Sequence, residues 1–116
     1  MKSRFYLKKN EEFTRVYKRR KTFGNRQFTL YLRPNDLPYS RVGFSINKKV
    51  GGAVVRNRIK RQLRELFAEM RPRLRGGMDM VLVVKTTASS CDYDTLKSAF
   101  SHIFSVSRMK KKGSSS

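Results

Sequence analysis

The sequence predicts an α+β domain in which one mixed, single-layer sheet of three to four strands carries three helices. Three observations predict it. Residues 26–33 and 41–47 alternate apolar and polar side chains with a period of two, the mark of strands that bury one face. Residues 78–85 are apolar almost throughout, as expected of a fully buried strand. Three other segments repeat their apolar residues at helical spacing, and one of them lies between the second and third of these strands, which suggests a crossover onto a parallel neighbour.

The first helix is expected over residues 11–20. Asn10 offers a cap, Glu11 and Glu12 sit in the first turn where the macrodipole favours acids, and Lys18, Arg19 and Arg20 suit the far end. Phe13, Val16 and Tyr17 share one face, which could simply cover the core. Residues 20–24 are ambiguous from their pattern alone. In the next strand Phe28, Leu30 and Leu32 point to the core, leaving Gln27, Thr29, Tyr31 and Arg33 outward. The loop Pro34-Asn35-Asp36-Leu37-Pro38 is rich in turn formers. After it, Val42, Phe44 and Ile46 point inward, and Arg41, Gly43, Ser45 and Asn47 outward. That outward face is a floor of small and polar residues with one aromatic, Tyr31, on which something flat could lie. With Phe13 and Tyr17 packed toward it, the floor becomes a groove with an aromatic wall and a cationic rim, suited to single-stranded nucleic acid.

At about 100° of rotation per residue, the long central helix places Val55, Ile59, Leu63, Leu66, Phe67 and Met70 in one buried arc. Arg56, Lys60 and Arg64 follow at i, i+4 and i+8 along its flank, with Asn57 and Arg61 beside them. Charge runs on helices are commonly no more than solvated faces. Here Glu65 and Glu69 are too few to pair with the cations, so repulsion stands until a polyanion relieves it. Arginine presents a planar fork that fits phosphate oxygens, and Asn57 offers donor and acceptor for a base edge or 2′-hydroxyl. Lys48, Lys49, Gly51 and Gly52 precede the helix N-terminus, a natural seat for phosphate, although the two glycines serve equally as plain flexibility. Arg71, Pro72, Arg73, Arg75, Gly76 and Gly77 end the helix and add cations. Ser89, Ser90 and Asp92 offer caps for a last helix with Tyr93, Leu96, Ala99, Phe100 and Ile103 on its inner face. Residues 1–109 form the expected single RNA-binding domain, and residues 110–116 a disordered Lys/Ser tail.

Composition narrows the partners. The chain has 28 basic and 8 acidic residues in 116, a formal charge of +20, which attracts polyanions and opposes compaction unless neutralised. Nucleic acid and anionic membrane both answer that charge. No run of roughly 18 apolar residues is present to span a bilayer, and the basic N-terminus lacks the apolar stretch of a signal peptide. The expectation is a cytoplasmic protein with no membrane partner. Cys91 stands alone, with neither a disulfide partner nor a ligand cluster, and reads as a small part-buried residue near a helix start. His102, similarly isolated, reads as a surface or packing residue.

Several of these segments together resemble one family. Arg41-Val42-Gly43-Phe44-Ser45, Lys48-Lys49 and Ala53-Val54-Val55-Arg56-Asn57-Arg58-Ile59-Lys60-Arg61 are similar to the signature, with its Arg-Asn-Arg core, of the bacterial ribonuclease P protein component. Leu7-Lys8-Lys9-Asn10-Glu11-Glu12-Phe13 and Asn25-Arg26-Gln27-Phe28 extend the likeness. The resemblance implies a ribosomal S5 domain 2-like fold in α-β-β-β-α-β-α order, with a left-handed β-α-β crossover where most such units are right-handed. It also implies a function: the protein subunit of a ribonucleoprotein endonuclease that removes the 5′ leader from precursor tRNA. In that assembly the RNA subunit holds the catalytic Mg²⁺ and breaks the bond. Arg56, Asn57, Arg58, Lys60, Arg61 and Arg64 are then expected to dock on the ribonuclease P RNA subunit. Phe13, Tyr17, Tyr31, Ser45, Lys48 and Lys49 are expected to line the cleft for the leader, with Tyr17 standing where some relatives carry Phe.

The acids agree with a non-catalytic protein. Hydrolysis of a phosphodiester by protein side chains needs a metal-holding acidic cluster or a paired general acid and base. Glu11, Glu12, Asp36, Glu65, Glu69, Asp79, Asp92 and Asp94 are scattered and read mostly as caps or helix-surface charges. No catalytic residue and no protein-held metal are expected. The alternative is a small ribosomal-type RNA-binding protein. A DNA-binding module fits less well, because no recognition helix follows a turn and the basic helix is flanked by strands.

Overall fold

The computed structural model describes residues 3–18 and 21–111. Helix α1 (Asn10–Lys18), strands β1 (Lys21–Gly24), β2 (Phe28–Pro34) and β3 (Arg41–Ile46), helix α2 (Ala53–Met70), strand β4 (Met78–Val84) and helix α3 (Tyr93–Val106) follow in turn. The strands form one sheet in the order β1-β2-β4-β3, antiparallel except for the β3/β4 pair, which is parallel. The ambiguous segment is thus an edge strand, with Lys21 opposite Leu32 and Gly24 opposite Thr29.

The register sorts the side chains onto two faces. One carries Phe28, Leu30, Leu32, Val42, Met80, Leu82 and Val84 against the buried arcs of α2 and α3. The other carries three rows across β2, β4 and β3: Arg33–Asp79–Arg41, Tyr31–Val81–Gly43 and Thr29–Val83–Ser45. Helix α1 lies on the middle row, where Leu7, Val16 and Val81 form a second small core flanked by Phe13, Tyr17 and Tyr31. Strand β4 is therefore covered from both sides, which is why its sequence is apolar almost throughout.

Four expectations are corrected. Helix α1 starts at Asn10, and its N-terminus is satisfied by Glu12, whose carboxylate accepts from the Lys8 and Lys9 N–H groups at 2.8 and 3.0 Å. The expected helix end at residues 19–20 lies outside the described residues. In α3, capped by Asp92 accepting from Thr95 N–H at 2.8 Å, Phe104 joins the inner face while Tyr93, the first helical residue, is 38% exposed. Asp79 is neither a cap nor a helix-surface charge but a buried side chain on β4.

The fourth concerns the tail, which does not begin at residue 110. Met109 is buried, and residues 109–111 form a short ladder with residues 73–75, in which Arg75 N–H donates to the Met109 carbonyl and Lys111 N–H to the Arg73 carbonyl, both at 2.7 Å. The apolar Met109 side chain and these backbone bonds together anchor the strand. Residues 112–116 lie outside the described residues.

Candidate nucleic-acid interface

The α1 face of the sheet is built around Gly43. A Cβ atom at this position would lie 2.3 Å from Cζ of Phe13, so only glycine lets the Phe13 ring rest on β3. The space left open on the floor in the sequence reading is thus filled by the protein's own aromatic ring. Tyr17 packs edge-on against Tyr31, with ring centroids 5.0 Å apart. Helix α1 reaches Arg41 on β3 through Glu12 and Tyr31 on β2 through Tyr17, so it crosses the strands. The row Thr29–Val83–Ser45 beside it remains half-buried. Beyond Ser45 the chain enters a 3-10 turn, Lys48–Val50, fixed by the Asn47 side chain accepting from Lys49 N–H at 2.9 Å. Lys48 and Lys49 are both exposed there. Gly51 is required by close approach, since a Cβ would meet Val55 at 2.9 Å, whereas a Cβ on Gly52 meets nothing.

Gly43→Ala is a sharp probe of this packing. The added methyl must push Phe13 off its seat, at an overpacking cost of about 1–3 kcal/mol. Chemical denaturation should show a loss within that range. An unchanged midpoint would mean that Phe13 does not rest on Gly43 in solution.

An ion network fastens α1 to the sheet. Arg41 donates from Nε and Nη2 to the two oxygens of Asp79 at 2.8 and 2.7 Å, and from Nη1 to Glu12 Oε2 at 2.9 Å. Asp79, 3% exposed, also accepts from Asn35 Nδ2 at 2.8 Å. The backbone N–H of Lys9, followed by that of Lys8 and the Arg41 charge, holds the Glu12 carboxyl below the usual carboxylate range. The Asp79 hydrogen bonds raise the Arg41 pKa still further above its already high value, so Arg41 stays charged. Sequence reading missed this network. The available signal was a single acid inside an apolar strand, placed by a parallel crossover opposite the arginine that opens β3.

The second surface is on α2. Asn57, Lys60, Arg61 and Arg64 line one hollow of about 560 Å³ together with Tyr6, Ala68 and one acid, Glu65. The Arg64 guanidinium lies 5.5 Å from the Tyr6 ring centroid, and burial raises the Tyr6 pKa despite the nearby Arg64 and Arg71 charges. Tyr6 went unnoticed in the sequence because it belongs to no periodic segment; a parallel bridge to Val42 brings it here. Two expected members sit apart. Arg56 folds back to donate from Nε to the Gly51 carbonyl at 3.1 Å, and Arg58 is on the opposite flank, its Nη2 3.3 Å from the Ser89 carbonyl. On a helical wheel Arg58 falls about 100° from Asn57, which turns it toward the segment preceding α3.

Among the described residues no three His, Cys, Asp or Glu side chains are grouped to hold a metal, and no helix is long and apolar enough to cross a membrane. His102 is exposed with Nδ1 3.2 Å from Asn25 Nδ2, and Cys91 is half-buried with Sγ 3.3 Å from the Thr87 carbonyl.

Residues 1–108 match the model of the family described as Ribonuclease P. A ribonuclease P protein component of Bacillus cereus (strain 03BB102) is 39% identical over 112 residues, covering 96% of this chain and 97% of the relative. One from Bacillus anthracis (strain CDC 684 / NRRL 3495) is 40% identical over 96% of this chain and 94% of its own length. The solved ribonuclease P protein of Staphylococcus aureus superposes with a TM-score of 0.87 at 30% identity, over 92% of this chain and 98% of that one. The Thermotoga maritima protein does so with 0.78 at 28% identity, over 84% and 92%. A family match across nearly the whole chain, relatives matched over nearly their whole length and the same fold lead to one conclusion: this chain belongs to the ribonuclease P protein family.

Proposed function

We propose that the protein positions two RNAs and leaves bond breaking to one of them. Family membership makes it a protein component of ribonuclease P, the tRNA-processing ribonucleoprotein, and the ribosomal-protein alternative is not favoured. In this reading Asn57, Lys60, Arg61 and Arg64, with Arg56 and Arg58 at the margins, dock on the RNA subunit. Phe13, Tyr17, Tyr31, Ser45, Lys48 and Lys49 guide the single-stranded 5′ leader of precursor tRNA. Mg²⁺ is held mainly by the RNA subunit, and the assembly works in the cytoplasm.

The observation that carries this reading is the Phe13 ring seated on Gly43. It raises an aromatic wall beside the half-buried row Thr29–Val83–Ser45, with exposed Lys48 and Lys49 in the turn that follows β3. Aromatic faces accept any base by stacking, and cations follow the backbone. The protein's contribution to rate is then positioning and charge screening. The test is affinity: leader-bearing precursor should bind the holoenzyme more tightly than leaderless tRNA, by a margin that the RNA subunit alone does not show. The same margin with and without protein would rule out the cleft. Arg61→Ala should weaken assembly with the RNA subunit and reduce the slope of log affinity against log salt by about one contact. A slope equal to wild type would remove Arg61 from the docking face.

A further inference from the structure

We infer that the RNA-docking surface of α2 continues past Arg64 into a second site, a phosphate-binding pocket built from Arg4, Arg71, Arg75 and Lys111. The inference rests on reading α2 as the face that meets the RNA subunit. These four cations rim a cavity of about 360 Å³ whose floor includes Phe5 and Tyr39. Arg71 lies over the Phe5 ring at 4.0 Å from its centroid, while Arg4 sits at 5.1 Å from Phe5 and 5.4 Å from Tyr39. The two rings are edge-on to each other at 5.5 Å. Among the described residues no carboxylate pairs with any of the four, and no acid lines the cavity.

The pocket is constructed rather than incidental. Buried Ser40 donates to the Arg75 carbonyl at 2.7 Å and accepts from Met78 N–H at 3.1 Å, which pins the segment carrying Arg75. Arg75 and Lys111 are held in the backbone ladder between residues 73–75 and 109–111. Gly76 permits the approach of the β2–β3 loop, since a Cβ there would lie 2.3 Å from the Pro38 carbonyl oxygen. Stacking on a ring fixes the plane of an arginine while leaving its N–H edge free, the presentation that suits phosphate oxygens. Arg4 and Arg71 are presented in this way, while Arg75 also donates from Nη1 to the Arg108 carbonyl at 3.5 Å. With Lys111 they make four charges without a carboxylate partner among the described residues, whose repulsion a phosphodiester relieves. Continuity assigns the ligand: Tyr6, which lines the α2 hollow under Arg64, packs at 5.7 Å against Phe67, which lines the pocket, so the two cationic surfaces adjoin. The phosphate is therefore one of the RNA subunit's backbone.

The test is the salt dependence of binding between the full-length protein and ribonuclease P RNA, for wild type, Arg61→Gln, Arg71→Gln and the double variant Arg4→Gln/Arg71→Gln. Each lost phosphate contact should lower the slope by about 0.7–0.9, so that the fall in affinity between roughly 50 and 200 mM salt shrinks about threefold. Arg71→Lys, which keeps the charge, should restore the slope while recovering only part of the affinity. If Arg61→Gln lowers the slope and the Arg4 and Arg71 variants do not, the pocket is not a phosphate site and the α2 reading stands. If none of them lowers it, the α2 reading falls as well. If the Arg71 variants change affinity for precursor tRNA but not for the RNA subunit, the phosphate belongs to the substrate and the assignment is overturned. Thermal melting of each free variant identifies any that lose affinity by unfolding, and an Arg71→Gln protein that melts like wild type while keeping the wild-type slope refutes the proposal.

Discussion

Arg41→Ala is expected to cost the free protein about 3 kcal/mol, the lower end of the ~3–5 kcal/mol range for breaking a buried ion pair. For a domain of this size that lowers the melting temperature by on the order of 10 °C. The reason is asymmetry of exposure. Arg41 is 20% exposed and could return to water, but the Asp79 side chain is 4% exposed and would keep only Asn35 as partner. A buried carboxylate stripped of its guanidinium is what makes the loss large. A fall of only one or two degrees would mean that the network contributes nothing net. Glu12→Gln should be milder, since an amide oxygen can still accept from Lys8 and Lys9. Its pH profile carries the sharper signature. The Glu12 pKa is lowered in the fold, so its contribution is whole above the usual glutamate value and is lost as pH falls through the lowered one. Acidification across that window should therefore destabilise Glu12→Gln less steeply than wild type.

Phe13→Ala and Tyr17→Ala should each weaken binding of leader-bearing precursor by roughly 1–3 kcal/mol, about five- to 150-fold, with affinity for mature tRNA nearly unchanged. Phe13 has the stronger claim because Gly43 holds its ring against the sheet beside the open row. Tyr17 packs on Tyr31 at the other side of the wall. Affinity measured with matched leader-bearing and leaderless RNAs separates stacking from general loss of charge or fold. Equal losses for both RNAs would contradict a leader cleft.

The elements were legible because their causes are local. Period-two alternation placed β2 and β3, the apolar run placed β4, and the helical arc of Ile59, Leu63, Leu66 and Phe67 described α2 correctly. The flank of α2 was legible for the same reason, since Asn57, Lys60, Arg61 and Arg64 follow from helix geometry alone. What escaped depends on pairing between distant segments. The partner of Arg41 is 38 residues away and faces it only through the parallel β3/β4 register. Tyr6 reaches α2 only because its segment bridges to β3. Residues 110–111 looked like the start of a tail because the ladder holding them joins two irregular segments. The occupant of the floor at Gly43 was misjudged because a missing side chain signals close approach without naming what approaches.

Reconstituted cleavage distinguishes a cationic scaffold from the RNA that breaks the bond. Precursor tRNA is incubated at near-physiological Mg²⁺ with the purified protein, with ribonuclease P RNA, and with both. The expected result is no cleavage by the protein alone and a clear gain in correct 5′ processing when the protein joins the RNA. Cleavage at the proper junction by RNA-free protein, or no gain on mixing, would contradict it.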